Sequence, residues 1–196
     1  PKSITFRYPK AGQPNSEIQI GVIDLQTGQV RFFDTDTWYE DDSPYEYLAR
    51  MGWTPAIDGR FYVWMFRMNR EQNHLELLYG DPATMRVRKV LEERASAWLE
   101  VETGFTDLQA GQLTYLNDGQ HFVWISERDG YRHLYLYRND GTLVRQLTQG
   151  AWDVTDFHGV DEVGGWVYFT ATIEGPRERH LYRVPLQPGA SNGQAF

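Results

Sequence analysis

No cysteine occurs among the 196 residues. A disulfide framework and a thiol nucleophile are therefore both excluded. No apolar run approaches the roughly 20 residues that span a bilayer as a helix. Pro1 opens no signal-like apolar segment, so a targeting peptide is expected to be absent or already removed. Positive charge is also scarce, with 19 Lys and Arg against 27 Asp and Glu and a formal net charge of −8. Nucleic-acid binding needs clustered Lys and Arg against phosphates, so no nucleic-acid partner is expected. An α/β-hydrolase serine site needs a nucleophile elbow between a strand and a helix, and none is expected here. His-Glu-x-x-His and the P-loop pattern are missing. No helix of convincing length shows the 3.6-residue apolar period.

Aromatic residues, by contrast, are abundant: 7 Trp, 12 Tyr and 10 Phe. Such side chains suit half-buried β surfaces better than helices. They sit in a recurring pattern. Phe122-Val123-Trp124-Ile125-Ser126 reads as a strand, Asp129-Gly130 as a turn, and His133-Leu134-Tyr135-Leu136-Tyr137 as the returning strand. Asp140-Gly141 then turns into Leu143 to Leu147. The string Arg-His-Leu-Tyr returns at Arg132 to Tyr135 and at Arg179 to Tyr182, and a looser copy runs from Asn73 to Leu78. Strand-only units of about 40–50 residues are the mark of propeller blades.

The expected fold is all-β, an incomplete β-propeller of three to four blades of antiparallel strands. The units are a partial blade over 1–36, a blade over 45–91, a blade over 98–148, and a blade over 152–196 lacking its outer strand. Ile4-Thr5-Phe6 and Glu17 to Leu25 read as inner strands of the first unit, and Pro188 to Gly193 as a loop. Both extremities fall within a unit, which predicts a piece of a larger ring. A β-sandwich and a self-sufficient small propeller are the competing architectures.

Candidate chemistry is sparse. His74, His133 and His180 occupy equivalent repeat positions, which spreads them over different blades and predicts packing roles; no metal site and no cofactor is expected. Asp41-Asp42 and Glu92-Glu93 are paired carboxylates that read as lying between strands, among solvated acidic residues. Glu100 and Glu102 alternate after Trp98, in the irregular extra residues of their unit, where sites on regular scaffolds tend to sit. Arg128 to Arg132 looks like a charged recognition patch or, more plainly, a strand-connecting turn. Trp53, Trp64, Trp124, Trp152 and Trp166 fall in strand-like runs and are expected in the core.

Several strings resemble the amino-terminal propeller region of the dipeptidyl peptidase IV family of prolyl-oligopeptidase-type serine peptidases. They are Tyr8-Pro9-Lys10-Ala11-Gly12 followed by Asn15, Glu127 to His133, Leu147 to Val154, Tyr168-Phe169-Thr170-Ala171, and Arg179-His180-Leu181-Tyr182. The resemblance implies a parent enzyme that removes Xaa-Pro and Xaa-Ala dipeptides from peptide amino termini. It also implies an eight-bladed ring over a carboxy-terminal α/β-hydrolase domain that carries the Ser-Asp-His triad. The family's paired glutamates lie upstream of the Tyr-Pro-Lys-Ala-Gly string, so no catalytic residue is carried over to this chain. The segment after Trp98 resembles a family stretch that approaches the substrate cavity, and Trp98, Glu100 and Glu102 are the expected substrate-adjacent residues. Implied partners are the hydrolase domain, the remaining blades, peptide substrate and, for the intact parent, a second copy in a homodimer. The implied location is the periplasm or cell surface of a bacterium. An interaction propeller without an attached peptidase is the rival function, and a glycan-binding β-domain a third.

Overall fold

The computed structural model describes residues 12–13, 17–35, 47–101 and 111–187. Among them there are thirteen strands and no helix. Strands β1 (Gly21–Ile23) and β2 (Val30–Phe32) form a two-stranded sheet. Strands β3 (Tyr47–Trp53), β4 (Val63–Met68), β5 (His74–Gly80) and β6 (Val87–Arg94) form a four-stranded meander. A second meander contains β7 (Leu113–Tyr115), β8 (His121–Ser126), β9 (His133–Arg138) and β10 (Leu143–Gln146). Strands β11 (Val154–Asp161), β12 (Trp166–Ala171) and β13 (His180–Pro185) complete the set. Every pairing is antiparallel between strands adjacent in the chain.

The turns follow from local chemistry. Asp118 accepts the amide protons of Gln120 and His121 through Oδ1, at 2.8 and 3.0 Å, and Asp140 accepts that of Thr142 at 2.8 Å. These side chains imitate a turn carbonyl. Gly141 takes φ +92, a region that L residues other than Gly rarely enter, and a Cβ there would overlap the Val90 carbonyl oxygen of the preceding sheet.

Packing runs in series. Ile20, Phe33, Val63, Met65 and Leu78 join the first sheet to the second. Phe66, Leu77 and Tyr79 of the second meet Phe122, Trp124 and Tyr137 of the third, with Phe66 edge-on to Trp124 at 5.4 Å. Val123, Ile125, Leu134 and Leu136 of the third meet Val154, Val167, Phe169 and Tyr182 of the fourth. Burial along each strand reports this order. β5, enclosed on both faces, is buried at all seven positions, whereas β12, covered on one face, alternates residue by residue. No apolar cluster among the described residues joins the first sheet to the last. The sheets are not closed, and the architecture is an incomplete propeller.

Several details differ from the sequence-based expectations. Glu92 and Glu93 lie inside β6, not between strands. Trp53 is 58% exposed on the edge strand β3, and Trp152 lies outside any strand, edge-on to His133 at 4.9 Å. Residues 98–101 form no strand. Asp41, Asp42, Glu102, the Ile4 to Phe6 run and the Pro188 to Gly193 loop fall outside the described residues.

Candidate functional site at the second connector

Strand β6 runs antiparallel to β5, with Arg94 opposite His74, so the chain leaves β6 beside the β4–β5 turn. The connector is then pinned to that turn. The Ala95 amide donates to the Asn73 carbonyl at 2.9 Å and the Leu99 amide to the Gln72 carbonyl at 2.8 Å. The Trp98 indole N–H donates to Gln72 Oε1 at 2.6 Å. Gln72 itself holds φ +54, which lets one residue offer both its carbonyl and its side chain to the connector. Anchored only through its N–H, the Trp98 ring stays 62% exposed.

Across from it stands the β8–β9 turn. Between the two lies a cavity of about 530 Å³, walled by Glu93, Trp98 and Leu99 on one side and Ser126, Glu127 and Arg128 on the other. Arg128 joins the walls. Its Nη2 donates to Glu93 Oε1, its Nη1 to the Tyr137 hydroxyl at 2.5 Å, and its Nε to Ser126 Oγ at 2.9 Å. The guanidinium lies over the Tyr135 ring, 4.4 Å from its centroid, a cation–π arrangement. Burial pulls the Arg128 pKa down, but the Glu93 carboxylate and the Tyr137 hydroxyl outweigh it and leave the group above its ordinary value. The Tyr135 hydroxyl donates to Asp129 Oδ2 at 2.6 Å, and burial followed by that carboxylate holds its pKa above the usual phenol value.

Adjacent carboxylates on a strand face opposite ways, and β6 shows the result. Glu93 points to the next sheet and Arg128. Glu92 points away, accepting from Lys89 Nζ at 2.7 Å and Arg94 Nε at 2.6 Å. On that side His74, Glu76 and Glu92 bring three ligand-type atoms within 4.8 Å of one another. Arg67 already holds Glu76 at 2.5 Å, and Lys89 lies 3.7 Å from it. Among the described residues Arg67, Lys89 and Arg94 already neutralise these two carboxylates. The group is an ion-pair network. His133 is likewise committed, to Thr148 Oγ1 at 3.1 Å and the Gly150 carbonyl at 3.0 Å.

Of the sequence-predicted site residues, Trp98 lines the large cavity and Glu100 an adjoining corner, while Glu102 lies outside the described residues. Sequence reasoning missed Glu93 and Arg128 as a pair, because they are 35 residues apart and no local signal links them. It also passed over the letters of a nucleophile elbow in Gly189-Ala190-Ser191-Asn192-Gly193. That string follows Pro188 outside the described residues, and no catalytic geometry is assigned to Ser191.

The family model for the dipeptidyl peptidase IV (DPP IV) N-terminal region matches residues 1–194. The chain belongs to this family. Among curated relatives of this DPP IV N-terminal region, a probable dipeptidyl peptidase 4 from Aspergillus fumigatus is 26% identical over 185 residues, covering 94% of this chain and 23% of the relative. A probable dipeptidyl-aminopeptidase B from Coccidioides posadasii is 33% identical over 196 residues, covering 92% and 20%. The crystal structure of Porphyromonas gingivalis dipeptidyl peptidase 4 matches with a TM-score of 0.76 and 25% identity, over 97% of this chain and 24% of that one. The chain therefore spans about a quarter or less of the proteins it resembles.

Proposed function

We propose that this chain is the non-catalytic propeller portion of a serine-type dipeptidyl peptidase that removes Xaa-Pro and Xaa-Ala dipeptides from peptide amino termini. In this reading the propeller limits access to the active site and its connector cavity shapes part of the substrate channel. Trp98 and Glu100 stand next to substrate. The observation that carries the reading is the family match over residues 1–194, supported by relatives named as dipeptidyl peptidases. The cavity adds a physical reason. An exposed indole held by a single hydrogen bond offers a flat apolar face that any extended peptide can lie against.

The test is turnover of a chromogenic Xaa-Pro anilide. The full-length protein is expected to release the dipeptide and the isolated chain to release none. Turnover by the isolated chain, abolished by Ser191→Ala, would overturn the non-catalytic reading. A full-length protein without turnover would favour an interaction propeller. In the full-length enzyme Trp98→Ala is expected to raise KM several-fold with kcat little changed, because the lost contact is made equally in the ground and transition states.

A further inference from the structure

Among the described residues three that are not glycine hold a positive φ: Asp58, Gln72 and Met85. Left-handed backbone suits glycine and, through short side chains that bond locally, Asn and Asp; Gln has no such advantage there. The β4–β5 turn imposes the conformation on Gln72. Its amide donates to the Asn69 carbonyl at 3.1 Å, and Asn69 Oδ1 accepts the amides of Asn73 and His74 at 3.1 and 3.0 Å. Asn69 Nδ2 also donates to Asn73 Oδ1 at 2.7 Å. Strain of this kind persists only where the surroundings over-determine it, and it gathers at functional sites.

From that conformation Gln72 holds two adjacent residues of the connector, the Leu99 amide through its carbonyl and the Trp98 indole through its side chain. Leu99 packs inward against the apolar cluster between the second and third sheets, whereas Trp98 turns outward. Burial therefore fixes Leu99 and does little to fix the Trp98 ring. Among the described residues no other hydrogen bond, ring or cation holds the indole. The bond to Gln72 Oε1 thus sets where the ring stands on the wall of the connector cavity. Glycine at this position would keep the backbone and leave the ring free to swing.

We propose that Gln72 is a positioning residue for substrate, acting by holding the Trp98 ring where an extended peptide lies against it. The assignment rests on the reading that substrate occupies the connector cavity. A ring that must be ordered at each encounter loses rotamer freedom on binding, which weakens binding and leaves the chemical step alone. Glu at position 72 keeps an acceptor at the same reach. Gly and Asn suit the left-handed backbone, but Gly has no acceptor and Asn is one methylene short of the indole.

In the full-length enzyme Gln72→Gly is expected to raise KM for an Xaa-Pro anilide several-fold with kcat little changed. Gln72→Asn should match it, and Gln72→Glu should stay near the parent value. Gln72→Gly added to Trp98→Ala should raise KM no further, a coupling that a merely structural role would not give. Thermal stability of Gln72→Gly should be kept, since glycine enters the left-handed region freely while loosening the unfolded chain. The fluorine NMR signal of Trp98 in fluorotryptophan-labelled full-length protein, assigned by its loss in Trp98→Phe, reads the ring without turnover. It should move in Gln72→Gly and hold its place in Gln72→Glu. An unmoved signal in Gln72→Gly, or the same KM rise with and without Trp98, would overturn the assignment. A KM rise in Trp98→Ala but not in Gln72→Gly overturns the assignment alone. If Trp98→Ala leaves KM unchanged, or the full-length protein turns nothing over, the substrate reading fails and takes the assignment with it.

Discussion

Arg128 shows what one side chain can do at a boundary between sheets. It closes three hydrogen bonds and lies over the Tyr135 and Tyr137 rings, and its loss strands Glu93, whose side chain is buried in the same interface. Removing one partner of a buried pair commonly costs 3–5 kcal/mol; because the Arg128 side chain remains partly exposed, Arg128→Met is expected to lower unfolding free energy by about 2 kcal/mol. Urea denaturation measures this, and Glu93→Leu in the same chain should recover part of it. Glu92 offers a second measurement at this scale. Burial raises its pKa, but the hydrogen bonds and charges of Lys89 and Arg94 outweigh burial and lower it from 4.5 to about 2. A carboxylate depressed in the folded state stabilises above its unfolded pKa and loses that contribution as pH falls through the folded one. The difference in Tm between the parent chain and Glu92→Gln should therefore be constant above about pH 5 and shrink between pH 4.5 and 2.

At the scale of the element, the third strand of each sheet of three or four carries the repeat. β5, β9 and β13 all begin on histidine, at His74, His133 and His180. Their shared position was legible because it recurs in the sequence; their surroundings were not. His133 is buried against Trp152, His74 lies within 3.4 Å of Glu92, and His180 is exposed on a sheet with no further neighbouring sheet among the described residues. The Asp-Gly turns were equally legible, since Asp side chains and Gly backbones do local work. Gly141 exceeds that local role, because its turn lies against the β6 backbone. Gly141→Ala is expected to destabilise the chain by 2 kcal/mol or more, from left-handed strain plus the clash with Val90, whereas Gly130→Ala should cost about 1 kcal/mol. Thermal melts of the two variants distinguish the cases.

Among the described residues the sheets pack in series, and the first and the last each share an apolar cluster with one neighbouring sheet. Ile23, Val30 and Phe32 are half exposed or more on the first sheet, and Leu181 is exposed beside the half-buried Trp166 and Tyr168 on the last. Each interior interface buries side chains of this kind, and apolar surface left in water favours association. The isolated chain is accordingly expected to bind a hydrophobic dye and to self-associate as concentration rises. Phe32→Ser with Leu181→Ser should reduce both in fluorescence and light-scattering measurements. The interior is less forgiving. Trp124 is fully buried between Phe66 and Phe122, and Trp124→Ala should cost about 3–5 kcal/mol.

By itself the sequence determined the all-β class, the meandering units, the turn positions and the family, because period-two patterning, Asp-Gly chemistry and repeated strings are local properties. Tertiary structure alone decided which face of each strand is buried twice, once or not at all, since that depends on a neighbouring sheet and not on the strand. It also brought Glu93 to Arg128. Those residues come from separate segments of the chain, and only packing of one sheet on the next makes them neighbours.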